Sequence, residues 1–300
     1  MSFTIATTLE GALAALAGGA RPVAGGSDLV VAARHGKAAL PESIVAIDRL
    51  TELAGVTTTA DGVRIGALTT HAMLMTDLTI LAVCTGLADA CALVGSPATR
   101  NVGTIGGNVM NSSPAMDTGA PLLALGAAVE LRSAASTRVV PIRDLWTGPG
   151  RNVAAADELC TAVLLPGQPA RTGSAYVRLE YRRAMEIAVV GAGAAVTLAD
   201  DGTIERIAVA LTAVAPTIVA VNALDAVAVG KVADEDLLAG IAAIAAEQAS
   251  PITDLRATDN YRRHCVGVMA RRAVEAAVRR AGGESIAVPV NRAYGIGAAR

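Results

Sequence analysis

Residues 100–108 of this chain read R-N-V-G-T-I-G-G-N, and we call this stretch the second glycine segment. Gly103, Gly106 and Gly107 leave it almost without side-chain bulk, while Thr104 and Asn108 add groups that form hydrogen bonds. Glycine adopts positive φ at little cost, so successive N–H groups can turn toward one point and bind an anion such as a phosphate. The stretch therefore predicts a backbone that closely approaches a ligand.

A first glycine segment lies far upstream, where residues 24–29 read A-G-G-S-D-L after the apolar pair Pro22 and Val23. In a chain with 30 glycines, either segment alone is more often an ordinary loop than a ligand site. Neither matches the G-x-G-x-x-G or G-x-x-x-x-G-K-[ST] nucleotide fingerprint. Together, two small-residue turns about eighty positions apart predict a ligand with two phosphates held between them.

Composition and charge bound the class of protein. The chain has 300 residues, 53% of them apolar, which suffices for two domains or one elaborate domain. Its formal net charge of −2 comes from intermixed signs, which disfavours nucleic acid or an anionic membrane as a partner. The longest uncharged run, residues 207–224, is interrupted by Pro216 and Asn222. We expect no membrane span, no signal peptide and a cytoplasmic location.

The cysteines argue against a metal site within this chain. They stand at positions 84, 91, 160 and 265 without a C-x-x-C pair, and the histidines at 35, 71 and 264 share no ligand spacing with them. We therefore expect no metal or iron–sulfur ligands here. The four thiols are predicted to be buried small hydrophobic groups in a reducing compartment.

The first half of the chain alternates predicted helices and strands around the two segments. A helix is expected at 8–17, a strand at 21–24, and a second helix that begins with Ser27 or Asp28 as its N-cap and runs to His35. The patterns then predict a strand at 43–48, a hairpin at 53–67 around Asp61-Gly62, a helix capped by Thr70 through residue 78, and an apolar helix at 79–94.

Asp117 is the one acid in the loop that follows the second glycine segment. It is interpreted either as the N-cap of a helix near residue 119 or as an acceptor for ligand hydroxyls, and the two roles are compatible.

The second half predicts a different architecture. P-G-Q-P at 166–169 is typical of a domain boundary, and strands are expected at 173–179, 187–198 and 204–212. Amphipathic helices follow at 234–249 and 258–281. An antiparallel sheet with helices packed on one side accounts for this order.

With these segments placed, the chain resembles the FAD-binding medium subunits of molybdenum hydroxylases, such as the flavoproteins of aerobic carbon monoxide dehydrogenase and xanthine dehydrogenase. A-G-G-S-D-L at 24–29 and T-I-G-G-N at 104–108 are similar to the two pyrophosphate loops of the family. R-R-A-M-E-I-A-V-V at 182–190 and P-I-T-D-L-R-A-T-D-N-Y-R-R-H at 251–264 resemble its C-terminal domain. The resemblance implies an α+β fold, with a two-part PCMH-type FAD-binding domain at 1–168 and a smaller α+β domain at 169–300.

The resemblance also implies which residues bind FAD. The N–H groups of Gly25, Gly26 and Ser27 would bind the pyrophosphate, with Asp28 closing the turn, and the second segment would add those of Thr104, Gly106, Gly107 and Asn108. Asp117 matches an acid that contacts the ribityl or adenosine end. The expected cofactor-binding residues are Ala24, Gly25, Gly26, Ser27, Asp28, Leu29, Val94, Thr104, Ile105, Gly106, Gly107, Asn108, Asp117 and Arg178.

Two of these assignments concern the flavin ring. Val94 falls where some relatives carry an aromatic residue that stacks on the ring, so what packs there in this chain is left open. Arg178 lies near a position where some relatives place a lysine close to the pyrimidine ring, and a cation there would stabilise negative charge. The alternative for Arg178 is a solvated arginine on a strand.

The function implied is that of an oxidoreductase subunit without a catalytic acid, base or nucleophile of its own. Electrons would pass from a molybdenum cofactor in a large subunit, through two [2Fe–2S] clusters in a small subunit, to this FAD and on to NAD, a quinone or another acceptor. An (αβγ)2 heterohexamer is expected. One alternative is a stand-alone PCMH-type flavoprotein oxidase or dehydrogenase, which needs a substrate pocket with its own acid or base group, often a His or Tyr near the flavin. Another is a ligand-binding or scaffold protein without flavin.

Overall fold

The computed structural model describes residues 1–36, 38–182 and 184–296. The predicted 182–190 motif and the predicted domain 169–300 therefore include positions, Arg183 and 297–300, that lie outside the described residues. The first part of the chain forms, in order, β1 Ser2–Ile5, α1 Leu9–Ala17, β2 Arg21–Val23, α2 Ser27–Arg34, β3 Ser43–Ala46, β4 Val56–Thr59, β5 Gly62–Gly66, α3 His71–Leu74, α4 Leu78–Val83, α5 Thr85–Leu93, α6 Pro97–Val102, α7 Ile105–Met110, α8 Gly119–Ala124, β6 Ala128–Arg132, β7 Thr137–Pro141, α9 Ile142–Leu145, β8 Trp146–Gly148, β9 Arg151–Asn152 and β10 Leu159–Pro166.

The N-terminal unit is a small parallel sheet with strand order β1-β3-β2. Helix α1 begins where the Thr8 hydroxyl accepts a hydrogen bond from the Gly11 N–H at 3.1 Å, as threonine N-caps commonly do. Its leucines pack against Val45 of the central strand. Helix α2 differs from expectation, because its N-cap is Gly26 with φ 66°, and no side chain caps it.

The next unit is a five-stranded sheet of order β4-β5-β10-β6-β7. The β4–β5 hairpin confirms the turn predicted at Asp61-Gly62, and its strands are joined to β6 and β7 through β10.

The helices between β5 and β6 are shorter than predicted. Thr70 caps a helix that ends at Leu74, and the Asp77 carboxylate then starts α4 by accepting the N–H groups of Thr79 and Ile80. The expected helix at 79–94 is interrupted at Cys84, whose φ of −151° and ψ of 52° are not helical. Because neither Cys84 nor its immediate neighbours Val83 and Thr85 is glycine or proline, the apolar pattern predicted one continuous helix.

The second part of the chain forms β11 Thr172–Leu179, β12 Val190–Leu198, β13 Ile204–Thr212, β14 Val219–Ala220, α10 Leu224–Ala228, α11 Glu235–Gln248 and α12 Asp259–Ala281. The four strands pair antiparallel in the order β11-β12-β13-β14. Ala175 and Val177 share a core with α11 and α12 on one face of this sheet. The architecture confirms the predicted α+β fold with an antiparallel sheet and helices on one side.

The opposite face of this sheet packs against the first part. Tyr176 belongs to the same buried cluster as residues of α5 and α8, and a Cβ on Gly193 would lie 2.6 Å from the Pro121 nitrogen. An ion pair fastens the contact: the Asp89 carboxylate of α5 accepts from Arg280 Nη1 of α12 at 2.6 Å. Asp89 also accepts the N–H groups of Tyr176 and Val290, so one fully buried carboxylate joins three segments of the second part to α5.

The four cysteines are free and buried, as predicted. Within residues 1–36, 38–182 and 184–296, no helix is long and apolar enough to cross a membrane. Across the same ranges, no cluster of three or more His, Cys, Asp or Glu side chains is arranged to hold a metal ion.

Candidate functional site

The two glycine segments lie in direct contact. A Cβ atom on Gly25 would overlap with the carbonyl oxygen of Val102 and would stand 2.5 Å from its carbonyl carbon and 3.2 Å from the Gly103 nitrogen. Only glycine lets the two backbones approach this closely. The fold therefore brings together the two segments that the sequence paired.

The first glycine segment has the properties of an anion-binding turn. It connects the end of β2 to the start of α2, and Gly26 lies in the left-handed region with φ 66°. In the described part of the chain, the N–H groups of residues 25–29 donate to no backbone or side-chain acceptor. The first N–H group of α2 that has an acceptor is that of Val30, which donates to the Gly26 carbonyl. N–H donors without an acceptor at a helix N-terminus attract negative charge.

The second glycine segment is built differently from the prediction. Gly106 and Gly107 lie within α7 and do not adopt positive φ. Their N–H groups are used inside the protein: Gly106 donates to Ala67 O at 2.9 Å and Gly107 to the capping Thr104 hydroxyl at 3.2 Å. Ile105 and Asn108 donate to the Thr69 and Thr104 carbonyls in the same way. The expectation of free N–H donors is therefore wrong for residues 105–108, whereas the backbone N–H of Thr104 donates to no acceptor among the described residues.

The missing side chain of Gly106 serves packing within the protein. A Cβ there would stand 2.6 Å from Ala67 Cβ and 2.8 Å from Ala67 O, so glycine lets α7 lie against the end of β5. The side chain of Ile105 is fully buried in the core and is not available to a ligand. Gly107, in contrast, is exposed and leaves a bare patch of helix surface.

Asn108 is the polar side chain that this segment presents. It is half-exposed, and its Oδ1 accepts a hydrogen bond from the Thr118 hydroxyl at 2.6 Å. Thr118 itself is fully buried, so Asn108 is anchored on one side and accessible on the other.

Asp117 and Arg178 form a buried ion pair. Asp117 Oδ2 accepts from Arg178 Nη1 at 2.7 Å, and Oδ1 accepts from the Tyr176 hydroxyl at 2.8 Å. Asp117 does not cap α8, whose N-cap is Thr118 without a side-chain hydrogen bond. Each of its oxygens already has one partner, so the predicted contact with ligand hydroxyls would require a further lone pair.

Arg178 has no solvent exposure, so the interpretation of a solvated strand residue is wrong. Its Nε donates to Glu180 at 2.8 Å, while Nη2 lies 2.7 Å from the same carboxylate without hydrogen-bond geometry. Burial alone would lower the pKa of Arg178, but the negative charges of Asp117 and Glu180 outweigh it and raise that pKa. Arg178 is therefore a permanent cation held between two carboxylates.

Val94 ends α5 beside this pair of segments. It is half-buried, and its carbonyl accepts from Arg100 Nη1 of α6 at 2.9 Å. The neighbouring carbonyl of Gly95 accepts from the Met185 N–H at 3.0 Å, which places part of the 182–190 motif against the turn before α6.

His71 supports the second glycine segment, and sequence reasoning missed it. The backbone N–H of His71 donates to the Gly103 carbonyl at 3.1 Å, and its ring Nδ1 lies 3.5 Å from the Cys91 thiol. The side chain is only 1% exposed, and burial, together with the charge of Arg100, lowers the pKa of His71 to about 4. No local pattern around residue 71 signals this role, because the partners lie twenty or more positions away.

The structure thus brings some of the predicted residues into contact with one another but not all of them. Gly25 contacts the second segment, and Asn108, Thr118, Asp117 and Arg178 form a continuous series from α7 to β11. Asp28 is exposed in the first turn of α2 and does not act as its N-cap. The remaining residues of the first segment, Ala24, Ser27 and Leu29, are half-buried around the turn.

Comparison with known proteins gives one consistent result. The family described as the FAD binding domain in molybdopterin dehydrogenase matches residues 1–168, and the CO dehydrogenase flavoprotein C-terminal domain matches residues 175–277. The chain is 32% identical over 287 residues to a xanthine dehydrogenase FAD-binding subunit of Escherichia coli, which covers 94% of this chain and 98% of the relative. It is 34% identical over 263 residues to the carbon monoxide dehydrogenase medium chain of Afipia carboxidovorans, with 87% and 90% coverage.

A solved structure agrees with these sequence matches. Carbon monoxide dehydrogenase from Hydrogenophaga pseudoflava superposes with a TM-score of 0.88 at 29% identity, covering 93% of this chain and 98% of that one. The chain therefore belongs to the family of FAD-binding medium subunits of molybdenum hydroxylases, as its sequence motifs predicted.

Proposed function

We propose that this chain is the FAD-binding electron-transfer subunit of a molybdenum-containing hydroxylase or dehydrogenase complex. The observation that carries the proposal is the contact of Gly25 with Val102 and Gly103. This contact places N–H groups of the first segment that have no acceptor beside the second glycine segment. A diphosphate needs several neighbouring donors, and these consecutive N–H groups at the start of α2 are available to it.

The residues present fit FAD in distinct ways. Backbone N–H groups of Gly25, Gly26 and Ser27, at the start of α2, would hold the pyrophosphate. The second segment would contribute the bare surface at Gly107 and the amide of Asn108. When bound, FAD supplies the capacity to take up and release electrons one or two at a time.

The other predicted residues would act toward the flavin end. Arg178 would supply a fixed positive charge, which Asp117 and Glu180 hold in place and partly offset. Val94 would pack at the same end. Asp28, Leu29 and Ala24 would shape the first turn, and Thr104, Ile105 and Gly106 would set the position of α7.

The partners and boundaries proposed follow from the family. We infer a small [2Fe–2S] subunit, a large molybdenum subunit, an (αβγ)2 assembly and a cytoplasmic location. Residues 1–168 would form the FAD-binding domain and 169–300 the smaller domain. Permanent subunit interfaces are large and more apolar than ordinary surface, which suits a chain with 53% apolar residues.

The oxidase alternative needs an accessible acid or base near the flavin. The histidine closest to the glycine segments, His71, is almost fully buried and has a pKa lowered to about 4 by burial and by Arg100. Tyr176 is fully buried, and burial raises its pKa well above the usual range. Neither group is suited to exchange protons with a substrate at neutral pH.

The test of the proposed function is the identity of the bound flavin. The full chain, purified and supplied with flavin, is denatured and filtered, and the filtrate is separated by chromatography. We expect FAD in the filtrate, which also means noncovalent attachment. FMN alone, or no flavin, would contradict a site built for two phosphates.

A further inference from the structure

The buried hydroxyl of Thr118 does not cap a helix. It is the N-cap residue of α8, yet its φ of −70° and ψ of −20° are helical and it makes no side-chain cap hydrogen bond. The other threonine N-caps in the described part of the chain all accept an N–H from the first turn of their helix; they are Thr8, Thr70, Thr104 and Thr258. The Thr118 hydroxyl instead donates to Asn108 Oδ1 at 2.6 Å, from a site with no solvent exposure.

This hydrogen bond decides which way the Asn108 amide points. An amide has one acceptor oxygen and one donor nitrogen, so fixing Oδ1 on Thr118 directs Nδ2 to the other side. Among residues that the structure describes, no atom accepts a hydrogen bond from Nδ2, and the half-exposed side chain leaves Nδ2 accessible. The amide therefore keeps two hydrogens for an acceptor outside the chain.

The position of Asn108 along α7 indicates what that acceptor is. Residues four apart share a helix face, and helical side chains lean toward the N-terminus, so Asn108 leans toward Thr104. Thr104 directly follows Gly103, whose nitrogen lies next to Gly25. Asn108 thus lies one helical turn after Thr104, on the face of α7 that begins beside the junction of the two glycine segments.

We propose that Thr118 is a positioning residue for the cofactor: its hydroxyl holds the Asn108 amide so that Nδ2 donates to a phosphate oxygen of FAD. This inference rests on the proposed function, because it takes FAD to be the ligand. The Asn108 side chain then donates to the ligand in place of the Gly106 and Gly107 N–H groups, which have acceptors inside the protein.

The experiment compares FAD affinity among four variants of the full chain by quenching of flavin fluorescence. Thr118→Val removes the hydroxyl with little change of shape, and Thr118→Ser keeps it. We expect the dissociation constant to rise about tenfold for Thr118→Val and for Asn108→Ala, the order of one lost hydrogen bond to a charged group, and to stay within about twofold of wild type for Thr118→Ser. In the double variant Thr118→Val/Asn108→Ala, the constant should equal that of Asn108→Ala alone.

The double variant separates positioning from a merely structural role. If Thr118→Val weakens binding equally with and without Asn108, the hydroxyl acts by some other route and the inference is overturned. Unchanged affinity in Thr118→Val overturns it as well. A wild-type chain that binds no FAD would instead reject the proposed function itself.

Asn108→Asp keeps the test decisive if Thr118→Val does not fold. An aspartate still accepts from the Thr118 hydroxyl, so the fold is preserved, but it lacks the donor and adds a negative charge. We expect it to lose at least as much FAD affinity as Asn108→Ala. Wild-type affinity in Asn108→Asp would show that Nδ2 donates to no phosphate.

Discussion

Gly25 lies directly against the main-chain carbonyl of Val102, leaving no room for a side chain between the two glycine segments. Gly25→Ala should therefore separate the segments and abolish FAD binding, with a cost in the free energy of unfolding of about 1 to 3 kcal/mol from overpacking. FAD titration and urea unfolding of the same preparations measure the two effects. The matched control is Gly240→Ala, on α11 with open space around it, which should retain wild-type affinity. Normal FAD binding by Gly25→Ala would show that the contact is dispensable.

Gly106 and Gly107 should respond differently to substitution although they are neighbours. Gly106→Ala puts a Cβ against Ala67 and should lower the free energy of unfolding, whereas Gly107 is exposed and its nearest neighbour would be the Thr104 hydroxyl at 3.0 Å. We expect Gly107→Val to keep the fold and lose FAD by covering the bare surface of α7. Melting temperature and FAD dissociation constant should thus move separately in the two variants. Flavin retained at wild-type affinity by Gly107→Val would remove this surface from the site.

Asp89 joins the two parts of the chain through a buried pair with Arg280, whose side chain is 6% exposed. Asp89→Asn leaves that cation buried without a counter-charge and should cost about 3 to 5 kcal/mol in the free energy of unfolding. The exposed pair of Arg271 with Glu235 is the control, and Glu235→Gln should cost less than about 1 kcal/mol. Equal, small losses in both variants would mean that the pair does not fasten the parts together.

His71 should make the stability of the fold depend on pH. Its pKa is about 4 in the folded chain because of burial and Arg100, below its ordinary value of 6.5, so the unfolded chain binds the proton more readily. Stability is then fully present above pH 6.5 and falls as the pH drops toward 4. By linkage, the loss between pH 7 and pH 5 is about 2 kcal/mol.

Urea unfolding at several pH values measures this slope. His71→Asn, which cannot be protonated, should lose that part of the dependence, while His264→Asn at an exposed position of α12 should keep it. A His71→Asn profile as steep as the wild type would assign the pH dependence to other groups.

Local patterns predicted much of the fold. Asp61-Gly62 marked a hairpin that the structure contains, and the strands near 173–179 and 204–212 were placed within a few residues. The same patterns could not show that Gly106 donates to Ala67, because that acceptor lies on a strand end nearly forty positions earlier. They also missed the burial of Arg178, since its partner Asp117 is brought there by the contact between the two parts of the chain.

The site shows the same division. The two glycine segments could be paired from their small residues, but which of them keeps free N–H groups depends on helix geometry. Thr104 captures the N–H of Gly107 as a cap, whereas Gly26 caps α2 without any side chain. Sequence reasoning treated both segments as equivalent turns, and only the first has that form.

The central claim, that this chain holds FAD for a larger molybdenum complex, is tested most directly by its composition after purification. The tagged full chain is coexpressed with the products of neighbouring reading frames, and flavin, iron and molybdenum are measured in the affinity-purified fraction. We expect about one FAD, four iron atoms and one molybdenum per chain, as two [2Fe–2S] clusters and one molybdenum cofactor require. A chain that purifies alone with FAD, without iron or molybdenum, and oxidises a small substrate by itself would contradict the claim and favour a stand-alone oxidase.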